Sequence, residues 1–500
     1  MRRARALIPG LVALAVLSEL GPAAAQGLAA EGGRITTNDY AIDLFQGPVL
    51  ASSRVIGMAG AYVAIGENVD GDSQNPAAPA VRMPFSFANI DYDLGIGITF
   101  PSSLKKADFF NSGQTTDLPK TNSLEFVFLD AAINLQIGPW GLGLTTGLQQ
   151  YGLLRGERAG AQQDELRARI GTGHTLVARA FADGQFFVGL GLRTTGLTVV
   201  NRNAPSQPGG GNQNLFTTTG VAPELGLLWR PNEAPVRVGF AAHAAVDSRA
   251  VPEQSQVSVL YPDTGDELFL PNRLILPWDI NVGAAVQLGP RPFNPRWDDP
   301  RDLVVRVRRF VDYRAAERER RRAWLVERAR KRPDVEAAIA AIDAELETEA
   351  ALDELALERA KRVTRERLKQ RYENMSRFKL LISTSLVVTG ATDNAVGIES
   401  FLERAVKRSG QSISLSPRLG VEIEPIPHFL LLRGGSYLEP TRFRSSPAGA
   451  RLHFTSGLDI KLVEWSIFDI FEAGTEWRIG GALDLARDYF GWSATAGVWH

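Results

Sequence analysis

The stretch RVIGMAGAYVAIGENVDGDSQNPAAPA, residues 54 to 80, is the part of the sequence that decides the fold. It is rich in glycine and alanine, which permit close backbone packing against a neighbouring surface. It also contains Asn75-Pro76, a dipeptide that favours a turn. The stretch lies between an N-terminal export signal and a long series of alternating strand patterns. We therefore expect a compact segment that fits into a confined space.

Residues 1–25 have the layout of a secretory signal. The start is basic, residues 6–17 are apolar, and residues 23–25 are alanines. This order is typical of a cleaved export signal, so we expect the mature chain to begin near Gln26. A retained membrane anchor is less favoured, because the apolar core is too short to span a bilayer and carries Pro9.

The composition of the remaining chain restricts its class. No window approaches the ~20 apolar residues that a membrane-spanning helix needs, so an integral membrane role requires a closed barrel. The absence of cysteine excludes disulfides, thiol nucleophiles and thiolate metal sites. The formal net charge is −1, and removal of the signal makes it about −3. This balance does not favour contact with nucleic acid.

From residue 85 onward the dominant sequence period is two. The run 415–423 alternates apolar residues with polar or small ones. Such alternation, interrupted by Gly, Pro, Asn and Asp clusters, is typical of β-hairpins with one apolar and one polar face. The lengths, near ten or more residues, suit tilted membrane strands. The breaks predict fourteen strands, at 85–100, 122–138, 141–156, 167–183, 185–200, 217–231, 235–249, 273–289, 377–390, 411–425, 428–440, 450–463, 476–487 and 490–499.

The predicted connections alternate between tight turns and longer polar loops. This is the asymmetry of outer-membrane barrels, whose short turns face the periplasm. A soluble β-sandwich also alternates, but it more often carries bulky core aromatics and surface lysines. The longer polar loops are predicted at 101–121, 157–166, 201–216, 250–272 and 391–410.

One connection, residues 290–376, is much longer than the others, and strand parity places it on the periplasmic side. Its centre, 314–374, is rich in Ala, Glu, Arg and Leu and contains no glycine. With one break at Arg332-Pro333, this composition predicts two helices. The first helix is basic and the middle of the insertion is acidic, so folding back would pair opposite charges. The hairpin is either simply solvated or a docking arm for a periplasmic protein or the cell wall.

The segment 54–80 resembles the N-terminal hatch of the FadL-type long-chain fatty acid transporters and of related outer-membrane shuttle proteins. In that family a run of the form G-M-[AG]-G-A-[YF] precedes an Asn-Pro-Ala turn. The resemblance implies a hatch that blocks the lumen of a barrel and moves to let an apolar ligand pass. It also implies the bacterial outer membrane as the location, with outer-membrane lipid as a partner. The residues that carry the resemblance are Gly57, Met58, Ala59, Gly60, Ala61, Tyr62, Asn75, Pro76 and Ala77.

Five ionisable residues lie on strand faces that are predicted to line the lumen. They could contact the carboxylate of a ligand, or they could pair across neighbouring strands, as most charged lumen residues do. The five are Arg418, Glu422, His453, Asp459 and Lys461.

Motifs for catalysis and metal binding are absent from the sequence. There is no G-x-S-x-G, no H-E-x-x-H and no phosphate-binding loop, and the five histidines are scattered. Asp70, Asp72 and Asn75 approach the spacing of a calcium loop, but the required glycine is missing and Val81 stands in place of the bidentate glutamate. We therefore expect no enzyme activity, no cofactor and no metal.

Together these patterns predict an all-β fold, a 14-stranded antiparallel transmembrane β-barrel with an N-terminal lumen plug and an α-helical hairpin insertion. We expect a passive outer-membrane transporter for long-chain fatty acids or other hydrophobic small molecules. The alternative is an assembly or attachment platform that binds a periplasmic protein through residues 314–374. The predicted parts are a signal peptide at 1–25, a hatch or plug at 26–83, barrel strands 1–8 at 84–289, a periplasmic helical insertion at 290–376 and barrel strands 9–14 at 377–500.

Overall fold

A computed structural model describes most of the chain beyond its N-terminal region. The predicted signal peptide, residues 1–25, lies outside the described residues. These are 28–82, 86, 89–101, 107–113, 126–155, 164–204, 211–249, 257–261, 266–297, 299–331, 333–376, 378–427, 429–443, 446, 448–462 and 476–499.

Fourteen antiparallel strands form a closed barrel, which confirms the fold class predicted from the sequence. The ring closes where the first barrel strand pairs with the last. Closure leaves no strand edge unpaired, as a sheet surrounded by lipid requires. The strands are β1 (Ile90–Phe100), β2 (Val127–Ile137), β3 (Trp140–Arg155), β4 (Asp164–Phe181), β5 (Phe186–Ala204), β6 (Gly211–Trp229), β7 (Val236–His243), β8 (Asp279–Leu288), β9 (Leu380–Thr389), β10 (Ser414–Ile426), β11 (Leu430–Glu439), β12 (Arg451–Leu462), β13 (Glu476–Ala486) and β14 (Tyr489–Trp499).

The two ends of the barrel differ in their connections. At one end, which we call the turn end, two to six residues join β2 to β3, β4 to β5, β6 to β7 and β10 to β11. The long insertion between β8 and β9 lies at the same end. At the opposite end, which we call the loop end, the connections after β1, β7 and β9 are long.

Two of the predicted strands are split. The runs predicted at 235–249 and 273–289 each form a barrel strand, β7 or β8, and a short separate strand outside the wall. The chain leaves the wall at Ala244 and returns at Pro277, and the carbonyl oxygens of both residues accept hydrogen bonds from Arg193, at 2.6 and 3.0 Å. Because Pro277 has no N–H to donate to a strand ladder, the wall is interrupted there.

A five-stranded sheet lies at the loop end. Its central strand, Ala41–Asp43, belongs to the N-terminal segment and runs parallel to both neighbours. Residues 391–410, which the sequence predicts as a loop, contribute two of its strands and the adjacent helix Ile398–Glu403. In order, the strands are Arg408–Ser409, Ala395–Gly397, Ala41–Asp43, Arg273–Leu276 and Val246–Arg249.

From this sheet the N-terminal segment continues into the lumen as a plug. It contains two short helices, Ser53–Gly57 and Asn68–Asp72, and a 3₁₀ turn at Ala78–Ala80. The first helix packs against β12 and β13, and the 3₁₀ turn packs against β3 and β4. The plug is therefore attached to opposite parts of the wall.

The connection between β8 and β9 forms a helical hairpin of α1 (Pro300–Ala329) and α2 (Val335–Glu373). Asp299 caps α1, because its side chain accepts a hydrogen bond from the backbone N–H of Arg301 at 2.9 Å. Pro300 occupies the first helical position, where its missing N–H has no consequence. The helical structure therefore begins well before residue 314, the start predicted from composition.

Opposite charges hold the two helices of the hairpin together. Arg321 pairs with Glu345 at 2.7 Å and with Glu349 at 2.9 Å. Arg314 pairs with Asp353 at 2.9 Å, nearer to the barrel than the pairs of Arg321. Among the described residues, no helix has the length and apolarity needed to cross a membrane.

The outer wall of the barrel is apolar. On β3, for example, Trp140, Leu142, Leu144 and Leu148 point outward and are 46–52% exposed. A closed barrel can expose such a wall stably in lipid, where neighbouring strands satisfy every backbone group. The protein is therefore a barrel of the bacterial outer membrane.

Candidate functional site

The hatch residues lie inside the lumen. The helix Ser53–Gly57 leads into a sharp turn at Ala59 and Gly60, whose φ angles are +55° and +71°. These left-handed conformations favour small residues, so the small-residue run serves the turn as well as close packing. All nine hatch residues predicted from the sequence are buried: Gly57, Met58, Ala59, Gly60, Ala61, Tyr62, Asn75, Pro76 and Ala77.

Asn75 organises the Asn-Pro-Ala turn. Its Nδ2 donates to the carbonyl oxygens of Val63, at 2.8 Å, and Leu227, at 3.1 Å. Its Oδ1 accepts the backbone N–H of Ala77 at 3.0 Å. The side chain therefore closes the local turn and joins two parts of the plug to strand β6.

Glycines on the inner wall make room for this turn. Gly189 and Gly226 are paired across β5 and β6, and Pro76 and Ala77 lie directly against them. A Cβ atom at Gly226 would lie 2.5 Å from the backbone nitrogen of Ala77, so any side chain there would collide with the plug. Other inner-wall glycines also contact the plug closely, and we call the following eight the glycine belt: Gly141, Gly189, Gly226, Gly239, Gly283, Gly420, Gly435 and Gly457.

A buried ionic cluster connects the plug to the wall at the turn end. Glu422 pairs with Arg433 at 2.7 Å, with Lys379 at 2.6 Å and with Arg54 of the plug at 3.2 Å. Arg433 also pairs with Asp459 at 2.7 Å. Removal of one member would leave a buried charge uncompensated, which is strongly destabilising. Glu422 and Asp459, both predicted from sequence to line the lumen, therefore meet in one network.

His453 lies on the inner face of β12, between two carboxylates. Its Nε2 is 2.7 Å from Oε2 of Glu439, and its Nδ1 is 2.8 Å from Oδ1 of Asp484. The imidazole stacks on Tyr437 with ring centroids 4.3 Å apart. Both ring nitrogens are thus engaged by the wall itself, which leaves no obvious contact for a ligand.

The two remaining predicted lumen residues also point inward, at separate places. Lys461 pairs with Glu476 at 3.3 Å. Arg418 reaches the carbonyl oxygen of Gly60 at 3.4 Å. The five lumen residues predicted from sequence thus do not form one site, since they are distributed between the turn end, the plug and the loop end.

Arg237 on β7 joins plug, wall and insertion, and is only 1% exposed. Its Nη1 donates to the carbonyl oxygen of Ile65 at 2.9 Å and to Glu67 at 2.7 Å, both in the plug. Its Nε donates to Asn294 at 2.7 Å and its Nη2 donates to the carbonyl oxygen of Phe293 at 2.8 Å. One side chain therefore links the plug to the segment that leads into the helical hairpin.

The charge of Glu67 depends on this arrangement. Burial by itself raises the pKa of the carboxyl group, but Arg237, Arg54 and Lys379 outweigh burial and lower the pKa of Glu67 to about 2. Glu67 is therefore ionised at neutral pH and contributes two ion pairs, to Arg237 at 2.7 Å and to Arg54 at 3.3 Å.

Residues 291–297, which we call the strap, cross the turn end of the lumen. Asn294 donates to the carbonyl oxygens of Pro231, Ala234 and Val236 at 2.8–2.9 Å. Phe293 is 6% exposed and belongs to the same apolar cluster as the plug core. The strap therefore packs directly beneath the plug and is continuous with α1.

The loop end of the lumen is apolar. A large buried cluster there combines residues of the N-terminal segment, the loops and the adjacent parts of the strands. The ring of Phe109 lies 5.5 Å from that of Tyr151 and 6.4 Å from that of Tyr489. Aromatic and aliphatic side chains therefore fill this end of the lumen.

Between this apolar cluster and the plug lies a cavity of about 310 Å³. Leu44, Phe45 and Leu50 of the N-terminal segment form part of its lining. Some of its polar wall groups are paired, as in the contact of His243 Nδ1 with Asp279 Oδ1 at 2.7 Å, whereas Oδ1 of Asp130 and Oδ1 of Asn281 have no hydrogen-bond partner among the described residues. Within the described part of the chain, no group of three or more His, Asp or Glu side chains is arranged to hold a metal ion.

Comparisons with known proteins give a likeness in structure alone. No protein-family model and no curated protein matches the sequence. Similar solved structures include the CymD monoaromatic hydrocarbon channel, with a TM-score of 0.44, 9% identity and coverage of 91% of this chain and 98% of that chain. The toluene transporter TodX of Pseudomonas putida has a TM-score of 0.45, 10% identity and coverage of 91% and 99%.

Sequence reasoning did not identify Arg237, the strap or the glycine belt. A signal for the glycine belt is present, because glycine inside a strand pattern indicates close approach of another backbone. Arg237 carries no comparable signal, since it is one inward-facing polar residue among many. Its role depends on the strap and the plug arriving at the same place.

Proposed function

We propose that the protein is a passive outer-membrane transporter for hydrophobic small molecules, with long-chain fatty acids among the candidate ligands. The proposal is carried by one observation: an apolar cluster, a cavity of about 310 Å³ and a small-residue plug follow one another along the lumen. This order would let an apolar molecule leave the aqueous phase, occupy the cavity and then meet a removable barrier.

The path has a barrier at the plug and a second one at the strap. The ligand enters at the loop end and transfers into the cavity, where it contacts the plug. Onward movement requires the plug to shift, which breaks its ion pairs with Glu422 and Arg237. Release then occurs into the periplasm or sideways into the membrane. No energy-coupling motif is present in the sequence, so the ligand gradient drives the process.

The volume of the cavity favours ligands of modest size. Small-molecule pockets usually measure about 300–1,000 Å³, so this cavity lies at the lower end of that range. A long-chain fatty acid would have to extend from the cavity into the apolar cluster. CymD and TodX are described as hydrocarbon and toluene channels, which makes toluene a useful second probe.

The proposal is tested by native mass spectrometry on protein extracted gently from outer membranes. After removal of detergent, we expect a bound fatty acid or hydrocarbon to remain on the barrel. Protein that carries no ligand, and that takes up neither oleate nor toluene after reconstitution, would contradict the transport function.

A second function, an assembly or attachment platform, is favoured by the exposed apolar residues far along the hairpin. Trp324 and Leu352 are 60% and 59% exposed. A transporter has no need of such residues, and exposed apolar side chains often mark a protein partner. The platform would use this distal part of residues 314–374.

Deletion of the hairpin separates the two functions. A variant lacking residues 301–373 retains the strap, and a short glycine linker can join its ends. Transport predicts normal uptake of oleate or toluene in this variant, together with normal envelope assembly. Normal uptake with defective envelope assembly would instead support the platform, while lost uptake in a correctly inserted barrel would assign the hairpin to transport.

A further inference from the structure

The charge of the helical hairpin is divided unevenly along its length. The level of the Arg314–Asp353 pair separates a proximal part, residues 300–313 and 355–373, from a distal part, residues 314–354. The proximal part carries eleven basic and five acidic residues, and the distal part carries nine basic and eleven acidic residues. Positive charge is therefore concentrated next to the barrel, although the whole chain has a net charge of −1.

Many charged side chains of the proximal part are exposed to solvent. In the distal part, arginines are paired across the hairpin, as with Arg321 and Arg322. In the proximal part, several exposed arginines have no ion pair among the described residues. They include Arg306, Arg308, Arg309, Arg362, Arg365 and Arg367.

Exposed apolar side chains lie among these arginines. On α1, Leu303, Phe310 and Tyr313 are 50–59% exposed and recur at helical spacing, so they share a face with Arg306. Basic residues combined with aromatic residues on one helix face are typical of segments that lie at a membrane surface.

The root of the hairpin lies at the turn end of the wall, because Nη2 of Arg301 would be 3.7 Å from a Cβ atom at Gly138, in the turn between β2 and β3. Outward-facing aromatic residues mark the turn end of the barrel: Trp140, Phe186, Trp229, Phe378 and Phe429 are 40–65% exposed. Such rings mark the level of the lipid headgroups in transmembrane barrels. The root of α1 is therefore near this level, and the proximal part extends about 20 Å from the root at 1.5 Å per residue.

We infer that the proximal part of the hairpin binds the anionic headgroups of phospholipids in the leaflet at the turn end. Six unpaired guanidinium groups provide the charge complementarity, because arginine forms forked hydrogen bonds to phosphate. Phe310 and Tyr313 would enter the interface between headgroups and acyl chains. The binding would hold the root of the hairpin, and with it the strap, against the membrane.

The test uses the full chain in a neutral detergent, titrated with phosphatidylglycerol or phosphatidylethanolamine and monitored by native mass spectrometry. We expect a preference for phosphatidylglycerol that falls about tenfold or more when the six arginines are changed to glutamine, since each basic residue near an anionic surface adds to the attraction. Changing the same six to lysine should preserve most of the preference. A distal control changes Arg318, Arg320, Arg321, Arg322, Arg328 and Arg330 to glutamine.

Three outcomes would overturn the inference. They are equal binding of the two lipids by the unaltered protein, retention of the preference in the proximal glutamine variant, and an equal loss in the distal control. Stronger binding to soluble polyglutamate than to phosphatidylglycerol would also overturn it in favour of an acidic protein partner. Heat-dependent mobility on gels establishes that each variant has folded into a barrel before it is compared.

Discussion

At the scale of single residues, Arg237 has the most specific role. It contacts two groups of the plug and two of the strap, whereas the neighbouring Arg230 contacts the strap carbonyl of Pro295 at 3.3 Å and has no hydrogen bond to the plug among the described residues. The two arginines have nearly the same burial, 1% and 3% exposure. Substitutions at the two positions can therefore be compared: both remove a buried charge, but only the substitution of Arg237 removes hydrogen bonds to the plug.

Changing Arg237 to methionine should release the plug. Glu67 would lose its nearest cation, and loss of one partner from a buried pair costs about 3–5 kcal/mol. We expect increased ion conductance in planar bilayers and increased susceptibility of cells to bulky antibiotics. Arg230→Met should change both measurements much less. Equal effects of the two variants would contradict a specific role for Arg237.

Glu399, in the helix next to the loop-end sheet, should make stability depend on pH. Burial, and then repulsion by Glu403, raises the pKa of Glu399 from its ordinary value to about 7. The folded protein therefore favours the protonated form, so this stabilisation is complete below about pH 4.5 and is lost as the pH rises through about 7.

The rise in the pKa of Glu399 from 4.5 to about 7 corresponds to at most about 3 kcal/mol in the free energy of unfolding. Between pH 5 and pH 8, the apparent melting temperature of the unaltered protein should fall more than that of Glu399→Gln, because glutamine is neutral at both pH values. The same loss in both proteins would mean that other groups cause the pH dependence.

At the scale of elements, the plug and the inner wall fit because the wall lacks side chains where the plug approaches. The pair Gly189 and Gly226 accepts the Asn-Pro-Ala turn, and Gly239 and Gly283, also paired, lie against Val63. The glycines alternate along their strands with outward-facing apolar residues. A barrel without them could close, but its lumen would not hold this plug.

Gly226→Val should therefore displace the Asn-Pro-Ala turn while the barrel still forms. We expect the segment 28–82 to become sensitive to proteases added to the periplasmic side, with increased leakage of large solutes. Gly171→Val is the control, because a Cβ atom at Gly171 would have no neighbour within 4 Å. A protected plug in the Gly226 variant would show that the glycine belt is not required for docking.

At the scale of the whole molecule, transport requires the plug to move relative to a rigid barrel. Ser53 of the plug and Thr495 of β14 place their hydroxyl oxygens 2.5 Å apart. The chain has no cysteine, so a pair introduced at these positions would have no competing thiol. Side chains this close are compatible with a disulfide.

The variant Ser53→Cys with Thr495→Cys should lose uptake of oleate and toluene when oxidised and regain it after reduction. Each single cysteine variant should transport at the normal rate under both conditions. Uptake that continues in the oxidised double variant would show that the ligand passes without movement of this part of the plug.

The sequence alone determined the barrel, its fourteen strands and the helical hairpin. These features depend on local signals, namely the period of two, the turn residues between strands and the helix-favouring composition of the insertion. Local signals also placed the hatch and gave its turn residues. The pattern failed where β7 ends and β8 begins, because Ala244 and Pro277 lie within apparently continuous alternation while Arg193 binds the carbonyl oxygens of both residues.

Only the tertiary structure decided which inward-facing residues act together. Closing fourteen strands into a ring brings together residues far apart in sequence, so that Arg54, Lys379 and Glu422 meet, and Arg237 meets Glu67 and Asn294. The stagger between strands determines which of these residues come into contact. It is a property of the closed barrel and not of any one strand. For the same reason the sequence shows the single glycines of the glycine belt, but their contact with the plug follows only from the tertiary structure.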